Sequence, residues 1–353
     1  MKKEIFPVCA IRDDFLYCST LSKHILEKIN LYTYETEYIN DIELYDLQER
    51  KTVDLLKFDN GYLYLFEYDG KRIIRLGFEG QPTKIFNTGI DTEEGFSSVE
   101  FYNNQLYLFP KYTNKFMIMD LDSGMVIGEE NIFEVLDETK IHLKELDIDR
   151  KICMGTIQKD NVIFVFSEST DKVACINLET QSVKEIKLEI GGGCSAIQMY
   201  NNKLYILDAE GKIWCGEKGV DKLELLVDTK YVMGYFRTII VTDCNIWLIP
   251  CFGDEMVVLQ DGSLEIYDNY PKDHTFIKTK GHSKFYGYSE NFDHYYFAMH
   301  SGNYMLTISK KTGKEKWIEL KEDVFEYWKH YCHNPMPEGN FGLKDFINVL
   351  NAG

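Results

Sequence analysis

Residues 101–124 read FYNNQLYLFPKYTNKFMIMDLDSG, and from Tyr200 the chain writes a close variant, YNNKLYILDAEGKIW. Each copy begins with a polar turn, continues as an apolar–aromatic–apolar run, turns again and enters a second apolar run. Working outward, seven segments share that first half: FLYCS at Phe15, YLYLF at Tyr62, QLYLF at Gln105, VIFVF at Val162, KLYIL at Lys203, NIWLI at Asn245 and HYYFAM at His294. One slot is always aromatic, filled by Tyr17, Tyr64, Tyr107, Phe164, Tyr205, Trp247 and Tyr296 at intervals of 41 to 57 residues.

Three positions before the slot stand Asp14, Gly61, Asn104, Asn161, Asn202 and Asp293, residues that accept the backbone of tight hairpins. Thirteen positions after it stand Asn30, Asp120, Asn177 and Ser309, each followed three residues later by a hydroxyl. Short polar side chains in that arrangement bond their own turn. The template is therefore consecutive antiparallel strands, about four per repeat. A lone four-stranded sheet leaves both apolar faces wet, whereas a ring of sheets stacked face to face covers them. The period predicts an all-β, seven-bladed β-propeller over residues 1–320, with six or eight blades as the neighbouring counts.

After Leu320 the pattern changes. Val324, Trp328 and Tyr331, then Leu343, Phe346, Ile347 and Leu350, fall at helical spacing. Residues 321–353 are expected to form a helical cap or tail, and their deletion lowers the melting temperature if they cap the ring. The loop before the fourth slot, residues 131–155, is expected to hold a helical turn.

The chain of 353 residues carries 39 basic against 57 acidic side chains, a formal net charge of −18. Such a field repels phosphate backbones and anionic lipid, so nucleic acid and membrane are not expected partners. The N-terminal MKKEIFPVCAIRDDFLY lacks the apolar stretch of a secretory signal. Nine cysteines without CxxC spacing point to free thiols in a reducing cytoplasm.

TISKKTGKEKWIEL, residues 307–320, resembles a single repeat of the PQQ-like propellers, whose blades carry Asp-x-x-Thr-Gly-x-x-x-Trp, with Ser309 in place of the Asp. DLDSG at Asp120 keeps the first half of that mark and has Gly128 where the Trp would stand. The aromatic hairpin spacing is also similar to kelch repeats, and GGG at 191–193 is similar to their glycine doublet. These resemblances imply the architecture and transfer no functional residue.

Ten positions before the slot, where first strands begin, stand Pro7, Asp54, Ser97, Met154, Ser195, Arg237 and Tyr286. Lys284 and His282 lie two and four residues before Tyr286, on the same strand face. Ser97, Ser195, Arg237, His282 and Lys284 would together form a carboxylate-binding funnel at the channel mouth. On this reading Arg237→Ala with Lys284→Ala leaves folding intact and abolishes binding of an anionic ligand. No catalytic, metal or cofactor motif accompanies them. Asp273 with His274, and His330 with Cys332 and His333, lack the spacing of a catalytic or zinc site, and Asp91, Glu93 and Glu94 lack the rest of a calcium loop. The expected function is a non-enzymatic module binding a protein or peptide. The alternative is a hydrolase, lyase or isomerase acting on a small anionic or sugar-like molecule.

Overall fold

The computed structural model describes residues 8–19, 26–39, 53–78, 81–90, 95–136, 142–143, 148–149, 151–216, 222–231, 236–250, 255–271, 285, 287–298 and 304–320. The 321–353 segment, with its expected helices, lies outside them, as do His282, Lys284, Pro7 and Tyr286.

The hairpins form for the reason the turn residues suggest. Asn60–Gly61, Asn103–Asn104 and Asn201–Asn202 all have positive φ. Paired positive φ makes the mirror-image turns whose twist matches the flanking strands, and Asn and Gly adopt it at least cost. The second turn of the repeat is stapled by its own side chain. Asn30 Oδ1 accepts the N–H of Tyr32 at 2.9 Å and of Thr33 at 3.0 Å; Asn177 Oδ1 does the same for Glu179 and Thr180; Asp120 Oδ1 takes the N–H of Ser123 at 2.8 Å.

These turns join seven antiparallel four-stranded sheets, each in simple meander order, over 8–38, 53–87, 96–131, 155–187, 194–228, 236–266 and 289–319. The expected seven blades are present, arranged as a propeller ring. Seven apolar clusters lie one at each junction between neighbouring blades, the last joining blade 7 to blade 1. The aromatic slot falls every time in the cluster on the downstream side. Tyr17 faces blade 2, Tyr64 blade 3, Tyr107 blade 4, Phe164 blade 5, Tyr205 blade 6, Trp247 blade 7 and Tyr296 blade 1. The slot is aromatic because a broad ring fills the gap between two diverging sheets.

Closure has a distinct character. Blades 1 and 7 each contain four strands of their own, so no strand is exchanged between the two ends of the described chain. Side chains close the ring: Cys9, Leu16, Cys18 and Ile29 pack against Tyr296, Met305 and Ile318, and Lys316 Nζ reaches the Tyr34 hydroxyl at 3.2 Å. Instead of the expected helical turn, the described part of the loop between blades 3 and 4 pairs His142–Leu143 with Ile148–Asp149 as a short ladder.

No disulfide joins any of the seven described cysteines. Burial pushes the Cys153 thiol up to about 12 and those of Cys18 and Cys194 well above the ordinary value, whereas Cys244 is exposed. Thiolate is the reactive form. Iodoacetamide on the native protein is expected to modify Cys244 well ahead of Cys18, Cys153 and Cys194, as read by peptide mapping. Equal modification of all four would mean that the blade junctions open readily.

Candidate functional site

The first strand of each blade lines the axis. In four blades the position ten before the slot is an extra residue inserted into the ladder. Asp54 sits between the pairs Val53↔Glu67 and Leu55↔Phe66, and Ser97 between Phe96↔Pro110 and Ser98↔Phe109. Ser195 lies between Cys194↔Asp208 and Ala196↔Leu207, and Arg237 between Phe236↔Pro250 and Thr238↔Ile249. These are β-bulges, which bend the strand and re-aim a side chain. Met154 has no bulge; its N–H bonds Phe166 O at 2.7 Å just before the strand of blade 4 begins.

Arg237 does not stand free. Its Nη2 donates to Glu168 Oε2 at 3.1 Å, and its Nε lies 3.1 Å from Oε1. Glu168 lies two residues past the second strand of blade 4, Val162–Phe166, while Arg237 is in the first strand of blade 6, Phe236–Val241. Residues two blades apart can meet only where the blades converge, so this pair marks the mouth of the axis. The Glu168 side chain is 4% exposed and also accepts the Lys151 N–H at 2.8 Å. Close packing holds it there: a Cβ at Gly193 would come within 2.1 Å of the Glu168 carbonyl oxygen.

The other cations near the axis are paired in the same way. Lys111 of blade 3 bonds Asp54 of blade 2 and lies 4.8 Å from the centre of the Tyr68 ring. Lys57 of blade 2 donates to Val99 O at 2.5 Å and Glu100 Oε2 at 2.6 Å in blade 3. Glu100 Oε1 accepts Thr156 Oγ1 of blade 4 at 2.6 Å, and Thr156 contacts Ser98 Oγ at 2.5 Å.

At the hairpin end of the axis a neutral network crosses from blade 5 to blade 7. Tyr288 donates to Gln198 Oε1 at 2.7 Å, Gln198 Nε2 to the Tyr295 hydroxyl at 3.3 Å, and Tyr295 to Val241 O at 2.9 Å. Tyr200 donates to Asp243 Oδ1 at 2.9 Å. Burial raises the pKa of Tyr288 and Tyr295, and burial with the Asp243 carboxylate pushes that of Tyr200 up to about 12. All three phenols remain donors at neutral pH.

Of the sequence-derived site residues, Ser97, Ser195 and Arg237 thus share one structural position at the mouth, and His282 and Lys284 lie outside the described residues. The hydroxyls of Ser97 and Ser195 are buried without a hydrogen-bond partner, Ser195 being 1% exposed. Glu168, Lys111, Glu100 and Lys57 are additions. A signal for Glu168 was present, since VIFVFSES ends its apolar run on polar residues just where the strand must turn. Among the described residues no group of three or more His, Cys, Asp and Glu could hold a metal ion. His294 lies by the hairpin of blade 7, at the end opposite the bulges, with its ring 6.0 Å from that of Tyr296.

No protein-family model matches the sequence, and a search of curated proteins finds no match either. Solved structures do match in fold. Virginiamycin B lyase from Staphylococcus aureus is similar with a TM-score of 0.59 and 12% identity, covering 85% of this chain and 96% of that one. PorZ, a surface component of the type-IX secretion system of Porphyromonas gingivalis, gives 0.58 at 11% identity, covering 91% of this chain and 39% of that one. BamB from Moraxella catarrhalis gives 0.50 at 12% identity over 86% and 82%. At such identities the likeness is one of architecture.

Proposed function

We propose that the chain is a non-enzymatic binding module, a rigid propeller that engages a protein or peptide through one face and its loops. One observation carries this reading. Lys57, Lys111 and Arg237, cations near the axis, are each paired with a carboxylate on another blade. Groups so paired brace one blade against another, and they are poorly placed to move protons or attack a substrate. Among the similar folds, a secretion-system surface component is consistent with such a role. The unbridged thiols favour a reducing, cytoplasmic setting, and the net charge of −18 disfavours nucleic acid and anionic membrane.

The second reading is a small anionic or sugar-like ligand at the mouth, favoured by the partnerless hydroxyls of Ser97 and Ser195 on equivalent bulges. Ser97, Ser195 and Arg237, with His282 and Lys284, would supply its contacts. One of the similar folds is a lyase, in keeping with that alternative.

Capture with the immobilised full chain, run beside a thermal-shift panel of carboxylic acids and sugar acids, separates the two. The binding-module reading expects a host protein retained at stoichiometric level and no stabilisation by the panel. Stabilisation by an acid or sugar that is lost in Ser195→Ala, with no protein retained, would overturn it.

A further inference from the structure

Among the described residues most aromatic side chains are covered, and of the four that are exposed two stand out. Phe292 is 93% exposed and Tyr32 is 75% exposed, the two most exposed large hydrophobic side chains among the described residues. They occupy the hairpin face at the same junction, the one between blades 7 and 1. The geometry links them: Tyr296 in the second strand of blade 7 packs with blade 1 and feels the charge of Asp293 and the hydroxyls of Tyr34 and Tyr32.

Both aromatic residues ride on turns that their neighbours have already stiffened. Asn291 Oδ1 accepts the N–H of Asp293 at 3.0 Å and of His294 at 2.8 Å, while its Nδ2 donates to the Tyr296 hydroxyl at 3.1 Å. Phe292 stands inside that loop. Tyr32 stands on the turn held by Asn30, and the nearby Asp14 carboxylate raises the pKa of its hydroxyl. Exposed rings on preorganised turns lose little further entropy when a partner covers them. Aromatic residues so placed are the usual anchors of protein contacts.

Acidic side chains stand on the same turns as the two rings. Asp13, Asp14, Glu35 and Asp293 are exposed on these turns. Two nearby cations are already engaged: Lys310 pairs with Glu290 at 2.8 Å, and Lys316 lies over the Tyr34 ring at 5.0 Å, while Arg12 faces the other junction, donating to Gly61 O of blade 2 at 3.0 Å. Acids around uncovered aromatic faces suit arginine and lysine, whose cations stack on rings and pair with carboxylates. The overall charge of −18 would speed the approach of such a segment.

We propose that this junction docks an arginine- or lysine-bearing peptide segment of a partner protein, with Phe292 and Tyr32 as its anchors. This names the partner chemistry of the binding-module reading and rests on it. Because the segment bridges two blades that share no strand, its binding also clamps the ring.

The test uses the full chain with short fluorescein-labelled peptides carrying several arginines spaced by aliphatic residues, and copies with glutamate in place of arginine. The expected result is that arginine peptides bind and glutamate copies do not. Phe292→Ser with Tyr32→Ser should weaken binding by about tenfold or more. Neutralising two remote hairpin acids, Asp160→Asn with Asp261→Asn, should change it by less than about twofold, since rim charges act weakly and through screening. Saturating arginine peptide should raise the melting temperature. Absence of binding, or equal binding by the Phe292→Ser/Tyr32→Ser variant, overturns the proposal. If a host protein is still captured by that variant, only the location and chemistry proposed here fall; if nothing is captured by the unaltered chain, the binding-module reading falls with them.

Discussion

Arg237→Ala is expected to destabilise the fold by about 3–5 kcal/mol in denaturant unfolding, the usual cost of removing one partner from a buried ion pair. The reason lies in what remains behind. Glu168 is 4% exposed and loses its guanidinium partner while keeping the Lys151 N–H at 2.8 Å. This expected result runs against the sequence-based expectation that Arg237→Ala with Lys284→Ala leaves folding intact, because the Arg237 charge links blade 6 to blade 4. Replacing both residues, Arg237→Ala with Glu168→Gln, should recover much of the loss, because a neutral amide can still accept from Lys151. A double-mutant cycle reads that coupling directly. Additive losses would mean that the two side chains act separately, and the rigid mouth would then have no foundation. Ligand assays on the Arg237→Ala variant alone would be misleading, since weaker folding mimics weaker binding.

How far the sequence discloses this molecule depends on the distance over which each interaction acts. Turn chemistry was legible because it is local: Asn103–Asn104 and Asn201–Asn202 state their backbone on their own, and Asn30 bonds residues two and three places ahead. The aromatic slot was legible because it recurs. Counting ten back from it picked Asp54, Ser97, Ser195 and Arg237, and all four are bulged. Their partners were not legible. Arg237 and Glu168 are 69 residues apart, and Lys111 and Asp54 are 57 apart. Only closure of the ring decides which turns meet at the axis, and no local pattern records it. The loop before blade 4 misled for a related reason. Of Ile141, Leu143, Leu146 and Ile148, the described Leu143 and Ile148 pair across the loop as a narrow ladder, a contact that spacing alone does not distinguish from a helical turn.

Tyr107→Ala is expected to cost about 3–5 kcal/mol, the range for deleting a buried aromatic ring. Tyr107 is 0% exposed, stacks on Phe116 with ring centres 6.3 Å apart, and shares its cluster with Ile163, Val165 and Ile176 of blade 4. Its removal takes away apolar burial and leaves a gap between two sheets that cannot close, because each is held on its far side by another blade. Tyr107→Phe should lose only about 1 kcal/mol, since the ring stays and only the hydroxyl contact to Gln105 at 3.2 Å is lost. Phe292→Ala, an equally drastic truncation at an exposed site, should fall within about 0.5 kcal/mol of the unaltered chain. The ring makes a further demand. Trp214, Trp247 and Trp317 lie in blades 5, 6 and 7, away from the damaged junction. In a closed array every blade leans on two neighbours, so tryptophan fluorescence and far-ultraviolet dichroism should shift to the same lower midpoint in Tyr107→Ala. An early dichroism change with the fluorescence midpoint unmoved would show blades 3 and 4 separating alone, as an open stack would, and the ring would lose its claim to act as one rigid body.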